Sequence, residues 1–175
     1  MAKVAADIID GDSNALNTDL AGVDVNYPFK LHGRDMSMLD LAASACQIKI
    51  VRQLVGLGAN VDGLPMSTPL VSAAGHGQDD IVDYLLSQGA HIAKVDANGH
   101  TALEEAVRQR ALPATRVLLA HGDDVNRPIA GGARILDLVN TGADADSKAV
   151  ADELRRHAAT SGATTGSGDG KGRSD

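Results

Sequence analysis

The side chains of this chain that could do covalent or metal chemistry are one cysteine, Cys46, and six histidines: His32, His76, His91, His100, His121 and His157. A nucleophile or a metal works only among convergent partners. No two of these histidines stand at the H-x-x-x-H or H-E-x-x-H spacing that sets both rings on one helix face. A single cysteine can neither close an internal disulfide nor build a thiolate zinc site. His76 and His100 with Cys46 are the one enzymatic grouping on offer, and two histidines without a third ligand seldom hold zinc. The acid pairs Asp79-Asp80, Glu104-Glu105 and Asp123-Asp124 are adjacent in sequence. Helix neighbours point about 100° apart, so these are not facing carboxylates of the glycosidase kind, and all three are expected on the solvated surface. GSGDGKG near the C-terminus is not a phosphate loop. Thr165 stands where the first glycine is needed, and Gly172 replaces the required hydroxyl. The chain therefore reads as a non-enzyme, with no catalytic residue, metal or cofactor expected.

Composition narrows the rest. Hydrophobic residues make up 43% of the 175 positions but aromatics only 2%, namely Tyr27, Phe29 and Tyr84, so the core must be aliphatic. Such usage argues against most all-β sandwiches and barrels. Sixteen basic against 23 acidic residues leave a net charge of −7, which excludes a general nucleic-acid binder because phosphate contacts need a basic surface. The start, MAKVAADIID, lacks the apolar stretch of a signal peptide. No segment approaches the roughly 18 apolar residues that cross a bilayer. A soluble, reducing, cytoplasmic setting is expected, with no membrane partner.

The elements that position these side chains repeat. VRQLVGLGANVD (51–62), VDYLLSQGAHIA (82–93) and TRVLLAHGDDVN (115–126) align without gaps, and DLAGVDVN (19–26) is a shorter copy. Their glycines, Gly22, Gly58, Gly89 and Gly122, are separated by 36, 31 and 33 residues. Upstream, SMLDLAA (37–43), TPLVSAA (68–74) and TALEEAV (101–107) recur. Ser37, Thr68 and Thr101 each precede their glycine by 21 residues. A constant 21 inside a variable 31 to 36 means a rigid unit joined by adjustable connectors. Each unit reads as two helices. Ser37, Thr68 and Thr101 are placed as N-caps, and Pro69 sits where a missing N–H is harmless. Ala42, Ala43, Ala73, Ala74, Ala102 and Ala106 give the first helices a face for close approach. Ile50, Val51, Leu54 and Val55, their counterparts Ile81, Val82, Leu85 and Leu86, and Val117, Leu118 and Leu119 form one apolar stripe per second helix. Gly58, Gly89 and Gly122 supply the left-handed stop.

These blocks resemble the ankyrin repeat, most clearly in Thr68-Pro69-Leu70 with Ala73-Ala74, in Gly58-Ala59-Asn60-Val61-Asp62, in Asp96-Ala97-Asn98-Gly99-His100-Thr101, and in Gly122 followed by Asp124-Val125-Asn126. The resemblance implies an all-α solenoid of stacked helix-turn-helix units with finger loops. About three full repeats and two capping units are expected over residues 1–157, followed by a disordered Gly/Ser/Thr-rich tail over 158–175. The family's histidine after leucine, which ties neighbouring repeats, is here Asp40, Val71, Glu104 and Asp137, so some inter-repeat hydrogen bonds must be absent or replaced. Cys46 stands at the family's inter-helix glycine and is expected to be small and buried.

What the resemblance implies about function is a surface. Family partners contact the fingers and the concave face beside them. Carried over residue by residue, the candidates are Arg34, Asp35, Met36 and Ser44 in one unit, Leu64, Met66, Ser67 and His76 in the next, and Asn98, His100, Arg108 and Gln109 in the third. Tyr27 and Phe29 flank Pro28 in the longest connector, where aromatic side chains serve either as interface anchors or as packing over the short first unit. With Leu64 and Met66 they could form a contiguous apolar patch. The tail from Ala158 is neutral (Lys171 and Arg173 against Asp169 and Asp175), so the charge lies on the array and suits a basic partner. The expectation is a non-enzymatic protein-protein interaction module, monomeric when unbound. Short free-standing chains of the bacterial type suggest an inhibitor or immunity protein occluding a toxin or enzyme. The alternative is an adaptor or regulatory subunit that positions an enzyme without inhibiting it.

Overall fold

The computed structural model describes residues 2–31, 33–65, 67–129, 132–139 and 144–163. Among the described residues five helix pairs follow one another: α1 (Ala2–Asp10) with α2 (Ser13–Asp19), α3 (Met38–Ser44) with α4 (Ile48–Gly56), α5 (Pro69–Gly75) with α6 (Asp79–Ser87), α7 (Ala102–Arg108) with α8 (Leu112–Ala120), and α9 (Ile135–Val139) with α10 (Ala145–Ala163). First helices pack on first helices and second on second, so the pairs build a two-layer stack. The connector after α2 forms a hairpin, β1 (Phe29–Leu31) antiparallel to β2 (Arg34–Met36), with Lys30 opposite Asp35. In the next connector the pairing shrinks to one bridge, Leu64 with Ser67.

The all-α repeat stack is the expected architecture, and its core is aliphatic as composition requires. Ala42, Ala43, Ala73, Ala74, Ala102 and Ala106 are fully enclosed between consecutive first helices. Ile50, Val51 and Leu54 on α4 and Ile81, Val82 and Leu85 on α6 bury the second layer. On α8 the buried face is Ala114, Thr115, Leu118 and Leu119, with Val117 half-buried. Thr115 tolerates that place because its hydroxyl donates to Ala111 O at 2.9 Å. Gly58, Gly89 and Gly122 end their helices at φ of 89°, 90° and 87°.

Ser37 and Thr101 cap α3 and α7 through the amides of Asp40 and Glu104. Thr68 departs from the expectation. Pro69 leaves the first turn of α5 with one donor fewer, and the Thr68 hydroxyl instead reaches forward to Val95 O at 3.3 Å in the following finger. Cys46 is exposed rather than buried, at φ 59°. It occupies the left-handed turn between the paired helices, where Gly11 and Gly77 stand elsewhere, and that turn points outward. The expected solvated acid pairs also divide. Asp79 and Asp80 are exposed, but Glu104 and Asp123 are buried while Glu105 and Asp124 are not. At the end of the array α10 continues past residue 157 to Ala163, so the first residues of the stretch expected to lack structure are helical. Residues 164–175 lie outside the described residues.

Candidate partner-binding face

The fingers are held by polar ties that run from one unit to the next. The Asp40 carboxylate, buried on α3, accepts the hydroxyls of Ser67 in the second finger and Ser72 on α5. The Ser37 amide donates to Ser67 Oγ at 3.2 Å. Asp40 thus does the work of the family's histidine with hydroxyl partners. Further along, Asp62 accepts the His91 amide at 2.8 Å and faces His91 Nδ1, while Lys94 donates to Asp62 O at 2.6 Å. Burial pushes the Asp62 carboxyl up, and the His91 bonds outweigh it, leaving it below the usual carboxylate range.

The third finger is built around Asp96, whose Oδ1 accepts the amides of Asn98 at 2.8 Å and His100 at 2.9 Å. Burial again acts upward, and the amide donors overcome it, so Asp96 stays ionised below its ordinary range. On α7, Glu105 Oε1 accepts the Gln109 amide at 2.9 Å, and its other oxygen lies 3.5 Å from His100 Nδ1. Gly75 leaves the room in which the Glu105 side chain lies: a Cβ there would meet Glu105 Cγ at 2.9 Å. His76 Nδ1 is 2.8 Å from Ser72 O, the geometry of a ring N–H donating to a carbonyl.

Two contiguous grooves result. One, of about 160 Å³, runs between β2 and the third finger, with Arg34, Asp35, Met36, Asn98 and Asp40 on its walls. The other, of about 390 Å³, lies between α5 and α7, with His76, Asp96, Asn98, Glu105 and Gln109. Val71, Ser72, Asp96 and Asn98 line both. On the other side of the hairpin an apolar groove of about 580 Å³ is formed by Ala2, Ala5, Ala6 and Ile9 of α1 against Tyr27 to Leu31.

A family model for ankyrin repeats in three copies matches residues 39–129, just over half of the chain. The chain belongs to the ankyrin-repeat family. Relatives of this ankyrin chain include ankyrin repeat and SAM domain-containing protein 6 of Rattus norvegicus, 35% identical over 89 residues, which are 49% of this chain and 10% of that protein. The Mus musculus protein of the same name matches to the same extent. Glycerophosphocholine phosphodiesterase gde1 of Schizosaccharomyces pombe is 43% identical over 60 residues, 33% of this chain and 5% of that enzyme. The ankyrin match therefore spans a tenth or less of each of these proteins. All three are eukaryotic, and none bears on the expectation of a bacterial type.

The ankyrin stack brings Arg34, Asp35, Met36, Ser67, His76, Asn98 and Gln109 onto these two grooves. His100 sits beside Glu105 at their edge. Ser67 lines a groove yet is buried, its hydroxyl committed to Asp40, so it braces the finger. Ser44, which donates to Asp40 O at 2.8 Å, and Leu64 are half-buried, and Arg108 is exposed; none of the three lines these grooves. Met66 and His32 lie outside the described residues. The aromatic pair splits: Phe29 is buried in the core and Tyr27 is 60% exposed. The apolar neighbours of Tyr27 are Ala2, Ala5, Ala6 and Ile9, not Leu64. Sequence alone assigns those α1 residues only to a capping unit. The signal was in the sequence, since Val4 and Ile8 take the inward face and leave Ala2, Ala6 and Ile9 one helical turn apart on the outward one. Cys46 lines neither the groove that holds His76 nor the one beside it. Among the described residues no three His, Cys, Asp or Glu side chains are grouped as a metal site. No described helix is long and apolar enough to cross a membrane.

Proposed function

We propose that this ankyrin array is a non-enzymatic protein-binding module whose contacts are Tyr27, the β1–β2 hairpin, the third finger and the inner helices beside them. The observation that carries this is the run of grooves on one side of the stack, where side chains from α1, both strands, α5 and α7 converge. Tyr27, at 60% exposure, is the aromatic with free area for an interface. Partners are recovered by native pull-down with the full chain and mass spectrometry. The reading expects capture to be lost when Tyr27→Ala and Asn98→Ala are combined. Capture unchanged in that variant contradicts it.

The finer form of the reading is that binding occludes a basic enzyme or toxin, the chain acting as a monomeric cytoplasmic inhibitor of the immunity-protein kind. Its support is the charge of −7, which speeds encounter with a basic surface. The partner's own activity, measured with and without this chain, tests it. Restraint supports an inhibitor, and unchanged or raised activity makes the chain an adaptor.

A further inference from the structure

We infer, resting on the binding reading above, that this face takes one extended segment of its partner, carrying an apolar side chain for the α1 groove and a basic side chain for Asp96 and Glu105. The apolar end is an unpartnered surface: Ile9 is 48% and Tyr27 60% exposed, side by side across one groove. Isolated exposed apolar residues need no explanation, but a contiguous patch does. β1 borders that groove and is paired on one side only, by β2.

Charge names the other end of the occupant. Asp35 is already answered by Lys30 at 2.9 Å, and Asp40 is closed off by two serine hydroxyls. Asp96 and Glu105 differ. Their partners are amides and the His100 ring, and no Lys or Arg bonds to either among the described residues. Both line the same groove, and Gly75 keeps the space that Glu105 occupies. An entering ammonium or guanidinium group supplies the missing opposite charge, and guanidinium fits a carboxylate with two parallel bonds.

The spacing follows from the stack. The apolar groove sits at the first unit and the two carboxylates between the third and fourth, about two unit steps away. Packed helices lie about 8–10 Å apart, so the distance is about 20 Å. At about 3.3 Å per extended residue, the apolar and basic side chains of the segment stand about six residues apart.

The test is selection from a random 12-residue peptide library on the immobilised full chain, followed by affinity measurement on a synthetic copy of the best binder. The expected sequences carry an apolar residue and Arg or Lys about six positions apart. Binding should weaken at least about tenfold in Ile9→Lys and, separately, in Asp96→Asn with Glu105→Gln. Asparagine keeps the oxygen that accepts the Asn98 and His100 amides and gives up only the bond from the Asn98 side chain at 3.0 Å, glutamine keeps the oxygen that accepts Gln109, and melting curves confirm that each variant is folded. Wild-type affinity should fall as salt rises from about 50 to 500 mM, and that dependence should flatten in the amide variant. No enrichment, enrichment without basic residues, or binding indifferent to either set of substitutions overturns the inference. A partner protein whose capture depends on Tyr27 and Asn98 but not on Asp96 and Glu105 overturns it too, and leaves the binding reading standing.

Discussion

The carboxylate of Asp40 on α3 accepts the hydroxyl of Ser72 on α5, and the two residues are 32 positions apart in the chain. With the Ser67 hydroxyl on its other oxygen, this one buried side chain joins two inner helices and a finger. Hydrogen bonds to a charged group contribute about 1.5–3 kcal/mol each, and orphaned buried hydroxyls add a cost. Asp40→Ala is expected to lose about 3 kcal/mol in urea denaturation, after allowing for the carboxylate's own burial cost. Asp40→Asn, which keeps an acceptor, should lose less than half as much. Equal losses would mean that the tie is packing alone.

The aromatic pair of the first connector gives a clean separation of stability from binding. Phe29 is enclosed by the core, so Phe29→Ala should cost about 3 kcal/mol of stability. Tyr27→Ala, at an exposed site, should stay within about 0.5 kcal/mol. Differential scanning calorimetry on both variants decides it, and comparable losses would place Tyr27 in the packing.

Cys46 holds φ at 59° without being glycine. A left-handed backbone with a Cβ costs about 1–2 kcal/mol, and glycine's extra freedom in the unfolded chain returns about 0.5–1 kcal/mol. Cys46→Gly is therefore expected to stabilise by about 0.5–1 kcal/mol in thermal melts. The thiol is exposed and its contact is a long one, Sγ to Ser44 O at 3.9 Å, so little is lost with it.

Asp123 stands where the two preceding units have Ala59 and Ala90. Burial pushes its carboxyl above the usual range, Arg127 at 3.3 Å and the Asp124 amide, which donates to Oδ1 at 2.9 Å, pull the other way, and the negative charges of Asp124 and Glu104 add to the upward push. Its Oδ2 has no hydrogen-bond partner among the described residues. A carboxyl raised in the fold favours the folded state when protonated and costs stability once ionised. Asp123→Ala should therefore stabilise the protein at pH 7, by about 1 kcal/mol given the partial compensation from Arg127. That gain should shrink as pH falls through the raised folded value, and be smallest below 3.8, the ordinary aspartate value, where both states are protonated. Urea midpoints of the two proteins between pH 7 and pH 4 measure it, and a gain independent of pH contradicts the assignment.

Much of this architecture is legible in the sequence because its determinants are local. The left-handed glycines, the Ser37 and Thr101 caps and the 21-residue interval all express helix geometry that few other sequences satisfy. What was not legible depended on direction in space. Glu104 and Glu105 are equivalent as letters, and only the packing of α7 turns the first inward. Tyr27 and Phe29 would share a face in a continuous strand, but Tyr27 ends a turn, its amide bonded to Asp24 O at 3.0 Å, and β1 starts only at Phe29. Residue type alone marks Cys46 as small and buried, whereas its position is dictated by backbone conformation, φ 59° in an exposed turn. The grooves on the finger face were approximated through the family's contact positions. The apolar one is not legible from a capping unit's inward face alone, because it is built on the outward face of α1.

The binding account is tested most directly by titration calorimetry of the partner recovered with the wild-type chain against Tyr27→Ala. The account predicts a Kd at least about 30-fold weaker, equivalent to about 2 kcal/mol, with an unchanged melting temperature. An affinity equal to that of the wild type would contradict it.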